Sequence, residues 1–457
     1  ATFGRGIWEG YLPCTSGPYD FVINSNTTWN DYKREDRNII VESGNTLTVT
    51  GKLVMTEGRK IIVKTNAKLI IDGGTITNAC NSPWQGIEVQ GNSAQSQYPI
   101  SGAYQQGIVQ IINGGTIENA VCGIKTINSD ASNPSLTTGG IIRADHAVFH
   151  NCKTAIEFLP YQNYQPANNN MPIANFSLIS QCTFETDDNL YAQGVEPTAF
   201  ISLAGVQGIK IYGNTFTNTT TQNVNNRGIG VLSTFSGFDL LPVCTSQTYP
   251  CPEVNKQKNT FNGLSFGVGA SSSFLPINID NNEFENNYGG VFLCGISNAK
   301  IINNNFNVGY CGLLLYESTA YRVEENTFGS DGNTVNYGIG ISNSGQHPNL
   351  IYKNKFEGGL SFSCHAEYTN NGPLIYPDPM GLANQGYMGP GLVFKCNEYG
   401  GANQVCDIEI TSGGIGGNQG YCYDAGTPAG NIFNSTGNSL GNIAVSSGVA
   451  PFSYYHH

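Results

Sequence analysis

The sequence predicts an all-β protein in which the chain winds as a right-handed parallel β-helix, a solenoid of roughly a dozen coils with loop insertions. Three observations predict this fold. An apolar residue, most often Phe, recurs along the chain at intervals of 22 residues or more. Asn stands two positions before most of these residues. Short alternating apolar stretches such as "KIIVK" and "GVFLC" lie between Gly and Asn residues, which is typical of strands joined by tight turns.

Two neighbouring copies define the repeat. Phe284 and Phe306 are 22 residues apart, and Asn282 and Asn304 stand two positions before them. About 22 residues suit a coil of three short strands and three turns, and coils stacked about 4.8 Å apart pair their backbone amides. We call the apolar residue the anchor and expect the anchors to stack in the core: Ile76, Ile117, Phe149, Phe184, Phe216, Phe261, Phe284, Phe306, Phe328, Phe356, Tyr399 and Phe433.

The Asn before each anchor is predicted to turn a corner of the coil and to hydrogen-bond with its equivalents along the axis. This ladder would contain Asn214, Asn259, Asn282, Asn304, Asn326, Asn354, Asn397 and Asn431. A β-sandwich with turn-rich loops is the alternative, but it gives no reason for a constant Asn-to-anchor offset in eight copies. Leucine-rich repeats fit less well, since no helical half-repeat is visible.

The repeat divides the chain into two parts. Residues 1–37 do not fit it, and the charged stretch "WNDYKREDRN" is predicted to be a short helix or loop in an N-terminal extension that caps the first coil. The β-helix is predicted over residues 38–457, with its C-terminal coils in 391–457. Nothing at the start resembles a signal peptide, so Ala1 is expected to be a mature or trimmed terminus.

Charge and hydropathy exclude two classes of partner. The chain of 457 residues has a net charge of −12, which argues against nucleic acid or an anionic membrane as a partner. No apolar run is long enough to span a bilayer, so direct membrane insertion is not expected.

Thirteen cysteines without a CxxC motif favour disulfides over a metal site. Cys244 and Cys251 are expected to form a bridge, and at least one bridge is expected among Cys396, Cys406 and Cys422. Cys122 and Cys311 are expected to be buried free thiols. The pattern predicts a secreted or cell-surface protein with no metal and no cofactor.

Several stretches carry a family resemblance: "AKLIIDGGTITNAC" followed by "WQGIEVQGN", "GLVFKCNEY" followed by "DIEI" and "PAGNIF", and the closing "PFSYYH". From about residue 38 to 456 the chain resembles the secreted right-handed β-helix regions of large Bacteroidota surface proteins. The resemblance implies a pectin-lyase-like fold, export by the type IX secretion pathway, and contact of the parent protein with that outer-membrane machinery. Such regions usually lie inside a longer polypeptide, so a fragment or a processed form is expected, and His457 is native or a tag remnant.

Catalysis must be considered because β-helices also carry polysaccharide lyases and hydrolases. The acid pair Asp187–Asp188 lacks the accompanying hydrolase motifs. In "IIRADHAVFHN", Arg143 and Asp145 are expected to point outward together beside His146, where they could hold a uronate and remove a proton. A solvated ion pair is the alternative reading of these three residues.

Exposed tyrosines offer a binding surface instead, since their rings can stack on sugars. Tyr161, Tyr164 and Tyr316 are the candidates, and binding is expected in the loops at 160–173 and 365–390. His347 and His365 are interpreted as isolated residues. The leading hypothesis is therefore a non-catalytic structural or adhesive module that binds a polysaccharide or another cell-surface ligand, with a polysaccharide lyase or glycoside hydrolase as the alternative.

Overall fold

The computed structural model describes residues 19–99, 102–330, 335–372, 391–402, 404–420 and 428–455. Three parallel sheets run the length of this part of the chain, and consecutive strands pass from the first sheet to the second and then to the third. Each strand pairs with its equivalent in the neighbouring coil, so the protein is a parallel β-helix, as predicted.

The first sheet has 15 strands: Phe21–Ile23, Ile39–Val41, Lys60–Val63, Trp84–Val89, Ala120–Lys125, Thr154–Phe158, Ala199–Ala204, Ile229–Thr234, Phe266–Ser273, Gly289–Ile296, Cys311–Tyr316, Val335–Ser342, Leu360–Glu367, Cys406–Ile410 and Ile443–Val445.

The second sheet has 13 strands: Thr27–Trp29, Thr46–Val49, Lys68–Asp72, Ile108–Ile112, Ile141–Asp145, Leu178–Ser180, Gln207–Tyr212, Gly237–Leu241, Ile277–Asp280, Ala299–Ile302, Arg322–Glu324, Asn349–Tyr352 and Leu392–Lys395.

The third sheet has 14 strands: Lys33–Glu35, Lys52–Met55, Thr75–Asn78, Thr116–Glu118, Val148–His150, Thr183–Thr186, Thr215–Asn218, Thr260–Asn262, Glu283–Glu285, Asn305–Val308, Thr327–Ser330, Lys355–Phe356, Glu398–Tyr399 and Ile432–Phe433.

The remaining elements lie in the connections between coils. Two-stranded pairs are formed by Tyr164–Gln165 with Met171–Pro172, Val243–Cys244 with Lys256–Gln257, and Asn418–Gln419 with Ser453–Tyr454. A short α-helix spans Asp188–Ala192, and 3-10 helices span Pro134–Thr137, Val224–Asn226 and Glu253–Asn255.

The twelve predicted anchors are confirmed, because all of them align in the third sheet. The rings of Phe306 and its neighbours Phe284 and Phe328 stack nearly parallel, with centroids 4.8 Å apart on both sides. This spacing equals the distance between paired strands, so each ring contacts the next without a gap. The stack fills one corner of the core along most of the solenoid.

The Asn ladder is also confirmed. The side-chain nitrogen of Asn282 donates to Oδ1 of Asn304 at 2.9 Å, and Asn304 donates to Asn326 at 3.0 Å. The sharp bend lies one residue earlier than predicted: Asn281 and Asn303 have φ of 56°, in the left-handed region. The ladder Asn therefore follows the corner, and its buried amide satisfies backbone groups of the coils beside it.

The predicted N-terminal boundary is wrong. Residues 19–37 include Phe21–Ile23, Thr27–Trp29 and Lys33–Glu35, which pair with the next coil in all three sheets. "WNDYKREDRN" is thus strand and turn, and the described part of the predicted cap is the first coil. The third sheet has 14 strands and not twelve, because Lys33 and Leu53 occupy the anchor position in the first two coils.

Candidate functional site

Two of the predicted binding tyrosines form contacts between loops. The Tyr161 side chain is buried, and its hydroxyl donates to the backbone oxygen of Gln95 at 2.7 Å. The Tyr164 hydroxyl donates to the backbone oxygen of Ala94 at 2.9 Å. These contacts hold the loop at 160–173 against the loop after residue 92. The prediction that the buried Tyr161 ring faces a ligand is therefore wrong, whereas the role of the half-buried Tyr164 stays a prediction.

The predicted polar cluster on the second sheet is arranged only partly as expected. Arg143 and Asp145 both point outward, with Ala144 buried between them. His146 occupies the turn with φ of 53°, and its Nδ1 lies 3.3 Å from Oδ1 of Asp145. The structure gives Arg143 no ion pair with Asp145. Of the three residues, the structure thus brings Asp145 and His146 into contact, and the catalytic role of the cluster stays a prediction.

The third candidate, Tyr316, borders an aromatic groove on the outer face of the first sheet. Its side chain is 44% exposed. The groove has a volume of about 250 Å³. We define the aromatic groove by the residues that line it: Phe292, Tyr310, Leu314, Tyr316, Tyr337, Ser342, His365 and Glu367.

Strand register places these side chains on one surface. Phe292, Leu314, Gly340 and His365 are successive partners across four strands. Because Gly340 has no side chain, it leaves open the space between Leu314 and His365 that becomes the groove floor. A Cβ built there would lie 2.7 Å from the Leu314 side chain, so a larger residue would fill the groove.

Aromatic rings form the walls. Tyr310 stacks on Tyr288 with centroids 4.7 Å apart, and Tyr337 lies 4.9 Å from the His365 ring. Burial raises the pKa of the Tyr337 hydroxyl, so this group remains a neutral hydrogen-bonding group at physiological pH. The walls thus combine flat apolar faces with polar edges.

One end of the groove is polar. Nδ1 of His365 lies 2.6 Å from Oε2 of Glu409, and its Nε2 lies 3.8 Å from Oε2 of Glu367. The interpretation of His365 as isolated is therefore wrong. The Ser342 hydroxyl, in a residue only 6% exposed, has no hydrogen-bond partner in the described structure. The sequence alone does not predict this cluster, because 44 residues separate Glu409 from His365 in the chain.

A second groove, of about 630 Å³, lies where the second sheet turns into the third. Its charges are mostly paired with each other: Lys256 with Glu253 at 2.7 Å and Lys258 with Glu283 at 3.0 Å. Burial raises the pKa of Asp280. Paired surface charges explain this groove without a ligand.

The disulfide prediction is half right. Cys244 and Cys251 are bridged, and Cys80 is also disulfide-bonded. Cys396 and Cys406 are free thiols, so the bridge predicted in their cluster is wrong for this pair, and Cys422 lies outside the described residues. Cys311 is buried and free as predicted, whereas the free Cys122 is half-buried.

Comparisons with known proteins are limited to part of the chain or to weak similarity. A family model described as periplasmic copper-binding protein (NosD) matches residues 247–371. In the described part of the chain, no cluster of three or more His, Cys, Asp or Glu side chains could hold a metal ion. A search of curated proteins found no match.

Among solved structures, the periplasmic alginate epimerase AlgG double mutant is 10% identical with a TM-score of 0.36, covering 92% of this chain and 78% of that one. The Streptococcus pneumoniae surface protein and adhesin PfbA is 12% identical with a TM-score of 0.35, covering 90% and 91%. A DFA-IIIase from Arthrobacter chlorophenolicus A6 is 13% identical with a TM-score of 0.35, covering 87% and 84%. Similarities this weak carry no argument about function. None of the described helices is long and apolar enough to cross a membrane.

Proposed function

We propose that this protein is a non-catalytic, extracytoplasmic adhesive module that binds a glycan in the aromatic groove. The observation that carries the proposal is the set of three tyrosines, Tyr310, Tyr316 and Tyr337, that line one groove with a polar end. Sugar rings present apolar C–H faces that pack on aromatic rings, and hydroxyls that need hydrogen-bonding partners. His365 and Glu367 offer such partners.

The groove also suggests the size and charge of the ligand. Residues of four neighbouring strands line it, so at ordinary strand spacing it is roughly 15 Å long in the direction of the solenoid axis. This length suits a few sugar units of a longer chain. Glu367 and Glu409 would repel a uronate carboxylate, so we expect a neutral sugar or an amino sugar.

The disulfides support a location outside the cytoplasm, because such bonds persist in oxidising compartments. The resemblance to secreted Bacteroidota β-helix regions extends this proposal to export by the type IX pathway, with the outer-membrane machinery as a partner of the parent protein. Surface proteolysis of intact cells tests the location, and loss of the surface signal in cells without the type IX machinery tests the pathway.

The test of binding is calorimetric titration with a panel of neutral and amino-sugar oligosaccharides. We expect Tyr316→Ala to weaken binding about fivefold to tenfold through loss of ring stacking. Tyr32→Ala is the matched control, since Tyr32 is 67% exposed in the first coil, far from the groove. Absence of binding to every member of the panel, or equal affinity of both variants, would contradict the proposal.

A glycoside hydrolase is the second candidate function, favoured by the His365–Glu409 pair. A carboxylate that orients an imidazole is an arrangement used in general acid–base catalysis. Release of reducing ends from a bound oligosaccharide, abolished in His365→Ala, would establish this alternative.

A further inference from the structure

The outer face of the second sheet carries another groove, which we call the basic groove. It has a volume of about 360 Å³ and is lined by Arg143, Lys210, Leu178 and the segment 173–177. Arg143, Leu178 and Lys210 are successive partners in neighbouring strands. The two cations are therefore two strand spacings apart along the axis, about 10 Å.

The basic groove offers hydrogen-bond donors without matching acceptors. No Asp or Glu lines it. No carboxylate of the described structure forms an ion pair with Arg143 or Lys210, which sets them apart from cations such as Lys125, paired with Glu157. Asn175 is 4% exposed and its Oδ1 accepts from the Ser177 backbone, while its side-chain nitrogen has no acceptor within the described ranges.

The charge of Arg143 is not cancelled by its surroundings. Burial lowers the pKa of Lys68, and the positive charge of Arg143 lowers it further. The acids nearest in register form no ion pair with either cation: Asp145 contacts His146, and Asp239, the register partner of Lys210, accepts from Asn278 at 2.6 Å. The groove therefore holds two cations without an ion pair in the described structure, on a protein with a net charge of −12.

We infer that the basic groove binds the carboxylate or sulfate groups of an acidic polysaccharide. A planar guanidinium can hold either oxyanion with two hydrogen bonds, and the Lys210 ammonium supplies a second charge for the next anionic group. Leu178 and Phe176 give apolar contacts for the sugar between them. A spacing of about 10 Å suits a ligand that carries repeated negative charges.

This inference goes beyond the proposed function, because the two grooves lie on different sheets. The test is calorimetric titration of the full chain with polygalacturonate, dextran sulfate, uncharged dextran and a single-stranded oligonucleotide, at low and high salt. We expect at least one acidic polysaccharide to bind, with weaker affinity at high salt, and dextran not to bind. Arg143→Gln and Lys210→Gln should each reduce affinity about tenfold.

Lys300→Gln is the matched control. Lys300 is an exposed residue in the same row of the second sheet, outside the groove, and its loss should change affinity less than twofold. A preference for polygalacturonate would assign carboxylate as the ligand group, and a preference for dextran sulfate would assign sulfate. The inference is overturned if neither polymer binds, if the groove variants bind like the wild type, if Lys300→Gln loses as much affinity, or if the oligonucleotide binds best. Tyr316→Ala should leave this binding unchanged, which separates its failure from that of the aromatic groove.

Discussion

The imidazole of His365 is held by Glu409, whose Oε2 lies 2.6 Å from Nδ1, although 44 residues separate them in the chain. The two residues are direct partners in neighbouring strands of the first sheet. Because one ring nitrogen is occupied by a carboxylate, the ring has a fixed orientation, and its Nε2 lies on the side of Glu367. The aromatic groove therefore ends in a polar group whose position does not depend on a ligand.

This geometry predicts that His365→Ala weakens glycan binding about tenfold, since a positioned hydrogen bond to the sugar is lost. Glu409→Gln should have a smaller effect, because the amide oxygen can still accept from Nδ1. Affinity can be measured by calorimetry with the best ligand of the neutral panel. His347→Ala, at an exposed histidine outside the groove, is the control. Unchanged affinity in His365→Ala would remove the polar end from the binding site.

The fold could be predicted because residues only a few positions apart in the sequence mark each coil. An Asn two residues before a Phe indicates a coil, and repeated copies set the register of Phe284 against Phe306 without any long-range information. The first coil escapes the prediction because Lys33, and not an apolar residue, occupies its anchor position. A coil can thus be predicted from sequence when it contains the Asn and the apolar anchor at the expected spacing, and it is missed when they are absent.

The candidate site could not be predicted in the same way. The core does not constrain which residue types occupy the outward positions of a β-helix. The side-chain contacts at these positions depend on loop insertions, which change which residues become neighbours. Tyr161 reads like an exposed loop tyrosine, yet the loop after residue 92 covers it. His365 reads as isolated because Glu409 lies beyond an insertion. Tyr316, in a regular coil, is exposed and lines the aromatic groove, and its role in binding stays a prediction.

The aromatic stack predicts a large cost for removing one ring. Phe306 is completely buried between Phe284 and Phe328, so Phe306→Ala should lower the free energy of unfolding by about 3–5 kcal/mol. Urea denaturation followed by circular dichroism measures this change. Phe274→Ala is the control, because that ring is 86% exposed and its loss should cost little. Similar midpoints for the two variants would contradict the continuous core.

The cysteines predict a specific labelling pattern. Cys244 and Cys251 form one bridge and Cys80 belongs to another, and each bridge uses two cysteines, so the denatured, unreduced protein should expose at most nine thiols from its thirteen cysteines. In the folded protein, burial raises the pKa of Cys152, Cys182 and Cys311 to about 12, which leaves almost no thiolate at pH 8. Mass spectrometry after alkylation should find these three unmodified until denaturant is added. Thirteen reactive thiols without reductant would reject an oxidised, exported protein.

The helix Asp188–Ala192 predicts a loss of stability in acid. Burial opposes ionisation of its N-cap residue Asp187, but hydrogen bonds from Asn151 and Asn189, together with the nearby His150, outweigh burial and lower the Asp187 pKa below its ordinary 3.8. The folded state therefore favours the carboxylate, and this stabilisation is present above pH 3.8 and disappears as the pH falls through the lowered value.

Asp187→Asn should consequently reduce the melting temperature at pH 7 and have less effect at a pH below the lowered value, where the wild-type carboxyl is protonated too. Thermal unfolding of both proteins across this range is the measurement. A difference between wild type and variant that stays constant down to pH 2 would show that Asp187 acts through shape alone, and not through its charge.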